Sequence, residues 1–241
     1  MNHFPPRLSA SSLRWIAIGS MLADHVGRMF FPGCRWMVAI GRLAFPIFAF
    51  QIVEGYRHTR SFSNYAVRLF CFALISEIPY DLMTAGTFFD LTRQNVLFTL
   101  LLGLWAVRIL DETSTGQSSP SRAMAGLALV ALLSIILSAD YALMGVIQMA
   151  VFFLLSGHGS SRLALLLVMA ALHLFFPGDF YWYLPFGTWD LRLSSQGFAL
   201  LSLIPIWLYH GDIGCRSKWL RWFSYGFYPV HMLLLALLRS I

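Results

Sequence analysis

The stretch LRWIAIGSMLADHVGRMFF, residues 13–31, decides the class of this protein. It is long and apolar enough to cross a bilayer, yet it carries Arg14, Asp24, His25 and Arg28. An ionisable group at that depth costs on the order of 3 kcal/mol, so such groups persist mainly where function needs them. Arg14 and His25 are eleven positions apart. At about 100° per residue, eleven steps return almost to one face, and at about 1.5 Å each they cover roughly 16 Å. One stripe of the helix therefore carries a fixed cation near one membrane surface and an imidazole about half a bilayer away. That layout suits a long anionic cofactor held at one end and acid–base chemistry at the other.

The rest of the chain reads the same way. Of its 241 residues 58% are hydrophobic, 16% aromatic and only 12% charged, whereas soluble domains carry about 25% charge. This composition predicts an all-α, polytopic integral membrane protein, with residues 1–241 forming one domain. The net charge of +6 is no nucleic-acid signal, because the arginines flank apolar runs as membrane electrostatics requires. The first apolar segment is long, charged inside and without a small-residue cleavage pattern, so no cleavable signal is expected. Cys34, Cys71 and Cys215 are scattered and odd in number. They predict neither a disulfide nor a metal site.

Apolar runs place nine helices, some short, at 13–31, 36–56, 63–83, 94–110, 122–138, 141–156, 162–177, 196–210 and 222–239. Only Ala139 and Asp140 separate the fifth and sixth, which predicts a tight hairpin or one broken helix. Arg7, Arg14, Arg57, Arg60, Arg68, Arg108, Arg122, Arg162, Arg216, Lys218 and Arg221 gather on one side, and Asp81, Asp90, Asp140, Asp179 and Asp190 on the other. The positive-inside rule then puts the N-terminus in the cytoplasm. Residues 111–121 form a polar linker. Residues 177–195 form an outer loop dense in Tyr and Trp, either an interfacial aromatic belt or a lid or acceptor-docking surface.

With this topology the intramembrane polar groups cluster toward the outer half. They are Asp24, His25 and Arg28, then Arg42, then Glu77 and Asp81 four apart on one face, then Asn95, His173 and His231. Buried charges must pair or face a wet cavity, so this pattern predicts one outward-opening polar chamber. Glu54 with Arg57 and His58 reads as an ion pair at the inner surface, and His158 and His210 as solvated loop residues. A histidine is the usual general base near neutral pH, and a nearby carboxylate orients it. The carboxylate for His25 is Asp24 or Glu77, and His231 is a further candidate partner.

The strings GRLAFPIFAFQIVEGYRHT (41–59), ALISEIPYDL (73–82) and QNVLFTLLLGL (94–104) resemble the TraX family of bacterial membrane proteins, whose namesake is the F-pilin N-acetylase. MLADHVG (21–27) and FYPVHMLLL (227–235) also match that family's terminal helices. The family is similar to the broader transmembrane acyltransferases, which carry an Arg, ten intervening residues and a His on the first helix. Arg14 and His25 reproduce that spacing. The resemblance implies that Arg14 contacts the phosphates of acetyl-CoA and that His25 is the catalytic base. It implies cytosolic entry of acyl-CoA and an acceptor reached from the outer face of the bacterial inner membrane. The expected activity is acetyl transfer to an amine or hydroxyl of a protein, pilin-like, or of a surface glycan, without metal or nucleic acid. His25 deprotonates the acceptor, with Asp24 or Glu77 setting its tautomer, directly or through an acetyl-His25 intermediate. Arg28, Arg42, Asp81, Asn95 and His231 are the expected acceptor- and oxyanion-binding residues. The alternative reading is a proton-coupled small-molecule transporter, whose helices also hold Asp, Glu, His and Arg.

Overall fold

The computed structural model describes residues 8–156, 161–175, 178–187, 189–215 and 217–239. Arg7, His158 and Arg216, read above as inner-side residues, lie outside them, as does part of the aromatic loop. The described helices are α1 (Ala10–Phe30), α2 (Arg35–Gly41), α3 (Ala44–His58), α4 (Phe62–Thr84), α5 (Val96–Ser114), α6 (Pro120–Ile136), α7 (Ala142–Leu155), α8 (Arg162–Phe175), α9 (Leu203–Leu208) and α10 (Lys218–Arg239). A 3₁₀ turn, Ser195–Ser202, leads straight into α9. With α2 joined to α3 and the 3₁₀ turn joined to α9, the described residues form nine helical segments, the number expected.

Two departures have simple causes. The second expected helix is interrupted at Arg42 and Leu43. Pro46 has no N–H to offer the Arg42 carbonyl four residues back, and its ring crowds that carbonyl. The aromatic outer loop holds a β-hairpin, with β1 (Tyr181–Phe186) antiparallel to β2 (Trp189–Ser194) and Tyr181 opposite Ser194. Gly187 supplies the left-handed residue of its turn, at φ +66°, where a side chain would be strained. The α6–α7 connection is a tight hairpin. It is built on three non-glycine residues with positive φ, Ser138, Tyr141 and Ala142.

The chain divides into two compact units, Met1–Phe48 with Ser161–Ser224, and Ala49–Ser160 with Tyr225–Ile241. In the first, α1 packs along α2, and the 3₁₀ turn packs on α8 and α2. The α1–α2 approach depends on small residues. A Cβ on Gly27 would stand 2.7 Å from the Met37 Cβ, and one on Gly41 would stand 2.6 Å from Asp24 Oδ1. The N-terminus of α1 is capped by Ser9, whose hydroxyl accepts from Ser12 N–H at 3.2 Å. The Ala10 amide donates to Asp212 O at 2.8 Å, and Cys215 N–H donates to Ser11 Oγ at 3.2 Å.

In the second unit α5 is the centre, with α4, α6 and α7 against it. Leu102, Ala106, Val130 and Val146 form an apolar cluster between α5, α6 and α7. The loop after α4 turns through Gly86 (φ +71°), whose amide donates to Asp81 O at 3.0 Å. Farther along, Asp90 accepts from Thr92 N–H at 2.9 Å and from Thr92 Oγ1 at 2.6 Å. These two hydrogen bonds hold the Asp90 carboxyl below its ordinary range.

Candidate functional site

α1 is unbroken from Ala10 to Phe30, so Arg14 and His25 share one continuous helix. Both are half-buried. Ile18 and Met21, between them on the same stripe, are buried. The stripe is therefore polar at its two ends and apolar between. Both residues have partners in the fold.

One turn from His25 the first unit assembles a ring of four charges. Asp24 Oδ2 accepts from Arg28 Nε at 2.7 Å, and Asp24 Oδ1 accepts from Arg42 Nη2 at 2.9 Å. Asp179, in the connection between α8 and β1, takes both ends of the Arg28 fork, at 3.3 and 2.7 Å. Arg42 Nη2 also lies 3.2 Å from Asp179 Oδ2. Two cations and two anions close on themselves with no net charge. The ring has an inner and an outer side. The Arg42 and Asp24 side chains are 7% and 14% exposed, whereas Arg28 and Asp179 are 38% and 42% exposed. Gly41 makes the inner side possible, because any side chain there would meet the Asp24 carboxylate.

Of the residues singled out from the sequence, Asp24, Arg28 and Arg42 thus come together, beside His25. Asp179, which the sequence shows only as a loop acid, completes them. No periodicity links it to Arg28, which stands 151 positions away.

In the same unit His173 is fully buried on α8, and neither ring nitrogen has a hydrogen-bond partner among the described residues. The buried Ser195 hydroxyl is likewise unpartnered among them. Gly178 closes against this end. A Cβ there would stand 2.5 Å from Ser194 Oγ and 3.0 Å from Ser195 N.

Glu77, Asp81, Asn95 and His231 belong to the second unit. Glu77 Oε1 accepts from the Asn95 backbone N–H at 2.9 Å and from Asn95 Nδ2. Asn95 Nδ2 also donates to Ala73 O at 2.8 Å, and Asn95 Oδ1 accepts from Leu97 N–H at 3.0 Å. Asn95 is therefore the N-cap of α5 and its tie to α4. The Glu77 carboxylate sits at the positive end of α5, where an anion is favoured. Asn95→Ala removes the cap and the side-chain donor to Glu77, leaving Glu77 only the backbone N–H at position 95. A cost of about 1–2 kcal/mol is expected, read as a lower unfolding temperature in detergent. Asn95→Asp keeps the cap but sets a second carboxylate against Glu77, and is expected to destabilise as well.

Asp81 is 3% exposed. Its Oδ2 accepts from Asp90 N–H at 2.9 Å, and its Oδ1 has no hydrogen-bond partner among the described residues. His231, 4% exposed, stacks on Phe227 at 4.7 Å and 10°. Its Nδ1 is 2.7 Å from Phe227 O. A carbonyl oxygen only accepts, so Nδ1 carries the proton in this bond. Among the described residues no cluster of three or more His, Cys, Asp or Glu could hold a metal ion.

Comparison with known proteins then decides the relationship. The family described as TraX protein matches residues 9–239. The chain belongs to the TraX family. Two relatives match across their length. This TraX-family chain is 30% identical over 242 residues to a probable fimbrial assembly protein FimC, serogroup H1, of Dichelobacter nodosus, covering 95% of this chain and 94% of that protein. It is 29% identical over 239 residues to Protein TraX of Escherichia coli, covering 94% of this chain and 85% of that protein. No solved structure matches significantly. The family match spans both compact units of this TraX-family chain, so the charge ring and the Arg14–His25 stripe both fall inside it.

Proposed function

We propose that this protein is a membrane-embedded acyltransferase that moves an acetyl group from cytosolic acetyl-CoA to an amine or hydroxyl acceptor. The observation that carries this is the unbroken α1, with Arg14 and His25 on one stripe, in a chain of the TraX family. The name of the Dichelobacter relative concerns fimbrial assembly, which favours a protein acceptor of the pilin kind.

Membrane residence is supported by what the helices expose. Arg35–His58 is long and apolar enough to cross a bilayer by length and composition. On α4 the exposed face is Val67, Phe70, Leu74, Ile75 and Ile78, and on the last helix it is Val230, Leu233, Leu234, Leu237 and Leu238. Contiguous apolar faces of that kind need cover, and lipid supplies it.

The residues fit their roles as follows. Arg14 lies just inside the N-terminus of α1, where helix polarity favours an anion. The loop carrying Gly211 and Gly214, both left-handed, closes on that terminus. A Cβ on Gly214 would reach the Ser9 hydroxyl at 2.5 Å, so only glycine allows the approach. A guanidinium suits phosphate because its fork donates two hydrogen bonds and its charge persists. His25 accepts the acceptor's N–H or O–H proton as the acceptor's lone pair attacks the thioester carbonyl carbon. The C–S bond breaks, and the departing thiolate takes the proton from the imidazolium. Asp24, fixed by Arg28 and Arg42, holds α1 in place beside His25. Arg28 and Arg42 are the donors assigned to a developing oxyanion, a role worth a few kcal/mol.

The experiment is acetyl-CoA binding to purified protein, followed with labelled thioester. Arg14→Ala is expected to weaken binding about tenfold or more, the loss of a charged hydrogen-bonding partner. Unchanged binding would remove Arg14 from this role. Substrate counterflow in liposomes without any dependence on CoA would replace the whole reading with transport.

A further inference from the structure

The geometry points to a second anion site, at the turn between α3 and α4, that takes an organophosphate. It belongs to the second unit and does not rest on the chemistry read at Arg14 and His25. A cavity of about 400 Å³ opens there, with Arg57, Arg60 and Arg108 in its lining. Its other walls include the aromatic rings of Tyr56, Phe62 and Phe153.

The structure accounts for most of these groups. Arg57 donates to Glu54 Oε1 at 2.6 Å and to Phe153 O at 2.8 Å, which closes the C-terminal end of α7. Arg108 is paired with Glu112 and lies 5.2 Å from the centre of the Phe62 ring. Tyr56 donates its hydroxyl proton to Asp111 Oδ2 at 2.7 Å. These contacts make rigid walls. Arg60 is different. It is exposed, and its guanidinium makes no hydrogen bond or ion pair among the described residues.

Its backbone is nonetheless held. Ser61 N–H donates to Thr59 Oγ1 at 3.4 Å, and Ser61 Oγ accepts from Asn64 N–H at 3.3 Å to cap α4. An unpaired guanidinium on a fixed turn, at the mouth of a cavity, presents a fork matched to phosphate oxygens. The volume is that of a site for a small organic molecule rather than for a bare ion. The rings offer flat apolar surface to the body that carries the phosphate. That body is either a soluble nucleotide or the headgroup region of an acidic phospholipid, and both present the same phosphate ester.

Two arms of one experiment distinguish the sources. The full chain in phosphatidylcholine nanodiscs is titrated with uridine 5′-monophosphate, which shares no base with coenzyme A, by calorimetry. In parallel, native mass spectrometry reads phosphatidylglycerol retained from mixed-lipid nanodiscs. Saturable binding is expected in one arm, weakened about tenfold by Arg60→Ala and less by Arg60→Lys, which keeps the charge but not the fork. A response confined to the nucleotide arm assigns the soluble source, and one confined to the lipid arm assigns the headgroup. Unchanged thermal unfolding of the Arg60 variants confirms that folding is untouched. Silence in both arms, or Arg60→Ala behaving as the parent in both, overturns the site.

Discussion

His25→Ala is expected to lower acetyl transfer by about 10²–10⁴-fold, the usual contribution of a positioned general base, while acetyl-CoA binding stays essentially unchanged. The split follows from the helix. His25 stands eleven residues from Arg14 on an unbroken α1, so removing the imidazole leaves the phosphate end intact. His25→Gln is expected to fail equally, because an amide hydrogen-bonds without accepting a proton at neutral pH. The measurement is transfer of labelled acetyl to the acceptor, or slow hydrolysis of acetyl-CoA where no acceptor is supplied, with binding measured on the same preparation. Loss of binding together with turnover would mean that His25 serves the fold rather than the reaction. Normal turnover would move the base elsewhere.

Arg42→Ala is expected to destabilise the protein by about 3 kcal/mol or more, the cost of stripping one partner from a buried ion pair. Arg42 is 7% exposed and Asp24 14%. Without Arg42, the inner Asp24 oxygen keeps only what the outer Arg28 can reach. Asp179→Ala removes a 42% exposed carboxylate from the outer side, where solvent screens the pair. Its cost is expected to be about 1 kcal/mol or less. Thermal unfolding in detergent reads both. Equal losses for the two variants would show that the ring has no inner and outer sides, and a negligible loss for Arg42→Ala would remove it as a structural element.

The sequence made the helices visible because each holds an apolar run, and its nine segments match the nine described; among the described residues one of them, Arg35–His58, is long and apolar enough to cross a membrane. The break at Arg42 and Leu43 was not seen, although Pro46 was in plain view, because the apolar run continues across it. The hairpin at Tyr181–Ser194 was hidden for a different reason. Tyr and Trp are the residues both of a membrane-interface belt and of a strand, so YWYLPF and WDLRLS fit either. Gly187 between them was the signal for a turn.

At the site, Asp24, His25, Arg28 and Arg42 were legible as ionisable groups in apolar helices. Their arrangement was not. Asp179 joins them only through the fold, and Gly41 allows the ring only through an α1–α2 approach that no spacing rule encodes. Glu77 and Asn95, read as candidates for chemistry, are hydrogen-bonded to each other and fasten α4 to the start of α5. A carboxylate and an amide in neighbouring helices look alike in sequence whether they bind a ligand or each other.

In the proposed mechanism α1 carries an acyl thioester from Arg14 to His25. A photoreactive acetyl-CoA analogue, with its crosslinker at the acyl end, tests this most directly when the labelled peptide is sequenced. Label within residues 21–28, lost on competition with acetyl-CoA and diminished in Arg14→Ala, is the predicted result. Competed label confined to any other helix, with α1 unmarked, would contradict it.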